Sequence, residues 1–192
     1  MTNLIERDLQ IHFTNAVDGF VFDQIDPKLP AFHGISVMHR VDFIVELVEA
    51  WLFVEVKDPG HPKAQVKGLE KFHGELTDGT LGNTFAAKFM DTFVYRWAED
   101  KLNKPIHYIS LVTLAAELLP NLSDEIAKKL PPMGMRTPRW QRRLFENCQV
   151  FNLDTWNENF PKWPATRISA ATVSPASGTA ALGNAAGSQT GI

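Results

Sequence analysis

Residues 41–59 read Val-Asp-Phe-Ile-Val-Glu-Leu-Val-Glu-Ala-Trp-Leu-Phe-Val-Glu-Val-Lys-Asp-Pro, the stretch that most limits what this chain can become. Two runs rich in β-branched and aromatic residues, stopped by Asp58-Pro59, predict two paired strands. Side chains alternate between the faces of a strand, so Trp51, Phe53, Glu55 and Lys57 share one face and Leu52, Val54 and Val56 the other. An apolar strand therefore ends in charged groups that point toward its own core side. A two-residue turn at Glu49-Ala50 sets Val48 opposite Trp51 and Asp42 opposite Lys57. Asp42 and Glu55 are then diagonal neighbours, roughly 7–8 Å apart at Cα. A slip of two residues brings Asp42 opposite Glu55 and keeps all three groups on one face, whereas a slip of one separates them. The turn holds no Gly, Asn or Asp to favour the tight hairpin types.

The rest of the chain supplies elements around this pair. Ile5, Leu9, Phe13 and Ala16 recur at helical spacing, and Asn3 followed by Glu6 has the form of a capping box, so a helix is expected over residues 3–17. Helices are expected over 63–73, 84–102 and 115–130 (the last broken near Pro120), with a short basic one over 138–145. Strands are expected over 106–114 and 149–153. Residues 154–164, with two Trp and a Phe, suggest a flap packed over the sheet edge. The order of elements argues for an α/β fold with a mixed sheet flanked by helices. With one further strand before or within the hairpin, the core becomes αβββαβ. A single domain is expected over 1–168. Residues 169–192 carry no charge and are dominated by Ala, Ser, Gly and Thr. Such a composition buries too little apolar surface to offset ordering, so a disordered tail is expected.

Charge is unevenly spread. Residues 1–60 hold four Lys/Arg and ten Asp/Glu, while the whole chain stands at a net −3. Lys128, Lys129, Arg136, Arg139, Arg142 and Arg143 follow one another with no acid between the first and the last. Carboxylates gathered in one region and cations in another suit a protein that holds a cation and presents positive charge to an anionic ligand. One cysteine, Cys148, cannot close an internal disulfide, which fits a reducing, cytoplasmic setting and a small buried side chain. The apolar runs are strand-sized, so no membrane span is expected, and the N-terminus lacks the apolar core of a signal peptide. The six histidines show no paired zinc spacing.

Asp42, then Glu55-Val56-Lys57 on the following strand, after an N-terminal element bearing Glu6, resembles the PD-(D/E)XK nuclease superfamily over about residues 3–114, with Val41 standing where that pattern has Pro. The resemblance implies a restriction-endonuclease-like core and a metal-dependent nuclease that hydrolyses phosphodiester bonds, on DNA in preference to RNA. It also implies roles. Asp42, Glu55 and the Val56 carbonyl would hold Mg²⁺, with Mn²⁺ as an alternative. Lys57 would position the attacking water or steady the charged transition state, and Glu6 would complete the site. Mg²⁺ prefers oxygen ligands and lowers the pKa of a bound water, which is the chemistry that such a hydrolysis needs. Asp8 is a rival to Glu6 as the acid of the first element, and Glu6 has a plainer role as a cap. Gln65 and Lys67 are candidates for the phosphate path or for a solvated helix face. Arg136, Arg139, Arg142 and Arg143, with Trp140, have the composition of a phosphate-contacting surface. A homodimer is left open.

Two other readings compete. One is an inactive nucleic-acid-binding or protein-interaction module on the same fold, in which one of Asp42, Glu55 and Lys57 points away. The other is an unrelated α/β domain in which these charges form a cross-strand ion pair. An exposed pair contributes only about 0–1 kcal/mol, a weak reason for placing charges on so apolar a hairpin.

Overall fold

The computed structural model describes residues 1–32, 34–131 and 139–171. Five strands form the main sheet: β3 (Asp18–Val21), β4 (Phe43–Glu46), β5 (Trp51–Lys57), β6 (Ile106–Val112) and β7 (Asn147–Phe151), in that spatial order. The first three run antiparallel and the last three parallel. Parallel neighbours need a crossover. It is made between β5 and β6 by α1 (Val66–Thr77) and α2 (Thr80–Ala98), and between β6 and β7 by a 3₁₀ turn and α3 (Leu119–Lys129). A second, antiparallel sheet joins β1 (Thr2–Glu6), β2 (Leu9–Phe13) and β8 (Ala165–Arg167), with β2 in the middle. The helices α4 (Leu153–Asn159) and α5 (Ile168–Ala171) flank β8 in the chain.

β5 and β6 are buried on both faces, which is why they read as nearly unbroken apolar runs. On one face Ile44, Trp51, Phe53 and Tyr108 pack against Phe85 and Phe89 of α2 and Leu122 and Ile126 of α3. On the other, Phe43, Leu52, Val54 and Ile109 pack against Leu9 and Ile11 of the small sheet and Trp156 of α4. The fold is thus a mixed sheet between a helical layer and a small antiparallel sheet. Among the described residues, no helix is long and apolar enough to cross a membrane.

Several expectations are corrected. The N-terminal helix over 3–17 is instead the β1–β2 hairpin, so the leading helix of the αβββαβ order is replaced by two strands. The helical spacing competes with a period of two, Leu9-Ile11-Phe13, and these three are buried together with Leu4 while Ile5 is exposed. Glu6 pairs with Leu9 across the two-residue turn Arg7-Asp8, where Arg7 takes a positive φ of 55°. Glu6 is therefore a strand-end acid rather than a helix-borne one.

The β4–β5 register is also corrected. Glu46 faces Trp51 and Phe43 faces Val54, so the loop has four residues rather than two and Asp42 falls opposite Glu55, not Lys57. The loop closes through Leu47 N–H donating to the Ala50 carbonyl at 2.8 Å, while the Lys104 ammonium binds the Leu47 carbonyl and Glu46. Without a residue suited to a tight turn, the longer loop wins, and the shift is even, so the faces are kept.

Pro120 does not break a helix but opens α3, where its missing N–H costs nothing. The basic helix expected over 138–145 is absent: residues 139–146 are irregular, and 138 lies outside the described residues. The expected edge flap packs onto the sheet's face instead, with Trp156 fully buried. Residues 168–171 form the short α5, and the remainder of the expected disordered tail, 172–192, lies outside the described residues.

The end of β5 is held to the end of β6. Gly60 N–H donates to the Thr113 hydroxyl at 2.9 Å, and a Cβ at Gly60 would come within 2.7 Å of the Thr113 carbonyl oxygen. Gly60→Ala is expected to cost about 1–3 kcal/mol, as overpacking does. Thermal denaturation checks this, and an unchanged midpoint would show that the clamp yields freely.

Candidate active site

Asp42, Glu55, Lys57 and Lys88 meet on the helix-covered face of the main sheet. Asp42 sits where the chain enters β4, Glu55 and Lys57 lie near the end of β5, and Lys88 projects from the middle of α2. Glu55 is fully buried and Asp42 almost so. The Lys88 ammonium donates to both Glu55 oxygens, at 2.7 and 2.8 Å, and reaches Asp42 Oδ1 at 3.5 Å. Lys57 Nζ lies 3.0 Å from Glu55 Oε1, with its side chain 34% exposed. Asp42 Oδ2 accepts the Val56 backbone N–H at 2.6 Å, which fixes that carboxylate against β5. Asp42, Glu55 and Lys57 thus point together.

The electrostatics follow from this enclosure. Burial pushes the Glu55 carboxyl up to about 7, the neighbouring Asp42 charge adds to the rise, and the two ammoniums oppose it. Burial disfavours the Lys88 charge, but Glu55 and Asp42 outweigh it and hold its pKa above the usual lysine value. Glu6, on the far side of the β5 end, is also raised, first by burial and then by Asp42. Burial lifts the Cys148 thiol to about 12, which leaves it a poor nucleophile at neutral pH.

Two openings adjoin this cluster at Lys57, its one member that lines them. A small cavity of about 100 Å³ is lined by Glu6, Arg7, Val56, Lys57 and Asp58. Arg7, Lys57 and Asp58 also border a cleft of about 420 Å³, whose walls add His61, Lys63 and Gln65. Gln65 is on the cleft wall, whereas Lys67 is exposed on α1.

As donors, Asp42, Glu55 and Glu6 offer only carboxylate oxygens, the set that suits a hard divalent cation. The donor types fit, with two conditions: these three carboxylates do not all come within 4.8 Å of one another, so one ion would have to draw them together, and Glu55 is already engaged. Lys88 already places a positive charge between Asp42 and Glu55, so an ion held by both must draw Glu55 away from that ammonium.

Asp8 turns away from this cluster. Its oxygens take the backbone N–H and hydroxyl of Ser169, and Arg167 lies 3.4 Å away. Arg167 also forks onto Asp58 through two bonds of 2.8 Å. Burial raises the Asp58 carboxyl, but the bonds from Arg167 and Thr113 outweigh it and set it below the ordinary value. Asp8, Asp58 and His61 have ligand atoms within 4.8 Å of one another, and the Arg167 guanidinium already contacts both acids.

Arg139, Arg142 and Arg143 do not approach Lys57. They border a cavity with Pro105 and Ile106 at the start of β6, whereas Lys57 pairs with Val112 at its end. Six residue steps along β6 separate the two places, roughly 20 Å at 3.3 Å per residue. Arg136 lies outside the described residues. Lys88 was missing from the sequence reading. Its signal was available: it stands three residues after Phe85 and four before Thr92, on the buried stripe of α2.

Comparisons with protein-family models, with curated proteins and with solved structures found no match.

Proposed function

We propose that the protein is a Mg²⁺-dependent nuclease of the PD-(D/E)XK type, cleaving phosphodiester bonds of DNA in preference to RNA, in a cytoplasmic setting. One observation carries the reading: Asp42 and Glu55 are buried on facing strands around a shared positive charge, and Lys57 leads from Glu55 into an open cleft with basic walls. The succession β3-β4-β5, two helices, then β6 supports a restriction-endonuclease-like core, with the β1–β2 hairpin in place of the leading helix.

In this reading Asp42, Glu55 and the Val56 carbonyl hold the ion, and Glu6 adds a carboxylate from the opposite wall. The ion supplies a polarised phosphate and a water of lowered pKa. Lys57, about a third exposed, orients that water or steadies the charge that develops on phosphate. Arg7 and Lys63 line the cleft as phosphate contacts, which position a strand without reading its sequence.

Lys88 favours a second reading, an inactive binding module on the same fold, because its ammonium occupies the place between the two carboxylates. Incubation of the purified protein with plasmid and single-stranded DNA, with Mg²⁺ or Mn²⁺, separates the two. Cleavage lost in Glu55→Ala/Lys57→Ala supports the nuclease, and cleavage surviving in that variant sinks it. No cleavage by the wild type under either metal favours the inactive module.

A further inference from the structure

The cavity at the far end of the sheet has a composition of its own. It measures about 590 Å³, within the roughly 300–1,000 Å³ of small-ligand sites. It lies between the last turns of α2, the entry into β6 and residues 139–146. Phe93, Trp97 and Trp140 give it aromatic walls, and Trp97 is 69% exposed, although its helix buries a full apolar stripe elsewhere.

Its cations differ in how they are occupied. Lys104 is bound to Glu46 at 2.6 Å and Arg143 to Glu146 at 3.1 Å. Arg139 and Arg142, both exposed, make no hydrogen bond or ion pair among the described residues. The cavity therefore offers exposed indole surface beside two uncommitted guanidiniums. An apolar ligand would leave those charges unused, and a simple anion would leave the rings unused. A planar base joined to a phosphate answers both, by stacking and by charge.

We propose that this cavity is a second nucleic-acid site that takes one nucleotide of a single strand, its base on Trp97 and its flanking phosphates on Arg139 and Arg142. It rests on the nuclease reading only for the choice of nucleic acid as the source of that nucleotide. At roughly 20 Å from Lys57, the cavity lies within the span of one short single strand that also reaches the cleft.

The test is fluorescence anisotropy of a labelled twelve-residue oligothymidylate in EDTA, where binding is read without cleavage. Trp97→Ala, which removes an exposed ring and leaves the core untouched, is expected to weaken binding about 5- to 150-fold. Trp97→Phe should recover most of it. Arg139→Gln/Arg142→Gln should lower the slope of log affinity against log salt by about 1.4, since each phosphate contact on a single strand contributes roughly 0.7. Wild-type affinity and slope in these variants overturn the proposal. Competition by thymidine monophosphate at the oligomer's own concentration also overturns it, by making the ligand a free nucleotide. Loss of the nuclease reading shows separately, as absence of cleavage in Mg²⁺ while the anisotropy result stands.

Discussion

Lys88→Met is expected to destabilise the protein by about 3–5 kcal/mol at pH 8, the usual cost of leaving a buried carboxylate without its partner. For a chain of this size that lowers the thermal midpoint by about 6–20 °C. Glu55 has no exposed surface, and its remaining partner, Lys57, is partly in water and so screened. The pH dependence has a definite sign. Glu55 is raised from 4.5 to about 7, so the folded protein binds this proton more tightly than the unfolded chain. Its contribution to stability is complete below 4.5 and is lost as pH rises through about 7. Removing Lys88 lifts Glu55 further, because that ammonium is the largest influence lowering it. The variant therefore escapes much of its penalty near pH 6 by protonating Glu55, and the penalty grows as the pH rises toward and beyond 8. Mg²⁺ should then restore the midpoint, by about 2.7 kcal/mol at a hundredfold excess over Kd, as the ion replaces the lost charge. Equal midpoints for wild type and variant at pH 8 would show that Lys88 does not neutralise this pair.

Lys57→Ala is expected to slow DNA cleavage by about 10²–10³-fold, the loss typical of one group that stabilises transition-state charge. The side chain reaches the cleft at the strand's end, so the fold should survive its removal and the midpoint should move little. The wild-type rate should rise between pH 6 and 8, as Glu55 gives up its proton and becomes a ligand. Because metal and proton compete for that carboxylate, more Mg²⁺ should carry the acid limb of the profile to lower pH. A limb that ignores Mg²⁺ concentration would remove Glu55 from the metal site, and wild-type turnover in Lys57→Ala would remove Lys57 from the reaction.

Much of the sheet could be read from residue types, and the reasons are local. β5 and β6 are covered on both faces, so their β-branched and aromatic runs stand out without any knowledge of neighbours. Period two then put Glu55 and Lys57 on one face whatever the register, and an even slip at the loop left that conclusion intact. The N-terminal hairpin was hidden because Ile5, Leu9 and Phe13 satisfy a helical period while Leu9, Ile11 and Phe13 satisfy a strand period. Pairing of β2 with β1 next to it and with β8 far along the chain decides for the strand. Lys88 was hidden for a different reason. A lysine on an apolar helix face is ordinarily a surface residue, and its partners are 33 and 46 residues away. The basic run near Arg139 was visible as charge, but its distance from Lys57 depends on which end of β6 it meets.

The small sheet has a consequence for the order in which the molecule can be completed during synthesis. Its middle strand, β2, is made long before one of its two partners, β8. Arg167, the last residue of that strand, grips Asp8 across 159 residues and Asp58 across 109. While the ribosome is still adding residues, β2 presents an open edge and Leu9 and Ile11 lack the Ala165 neighbour that helps cover them. The wall that carries Glu6 is therefore completed only after all five strands of the main sheet have been made. A nascent chain released before residue 165 would carry Asp42, Glu55 and Lys57 but only a loosely held hairpin beside them.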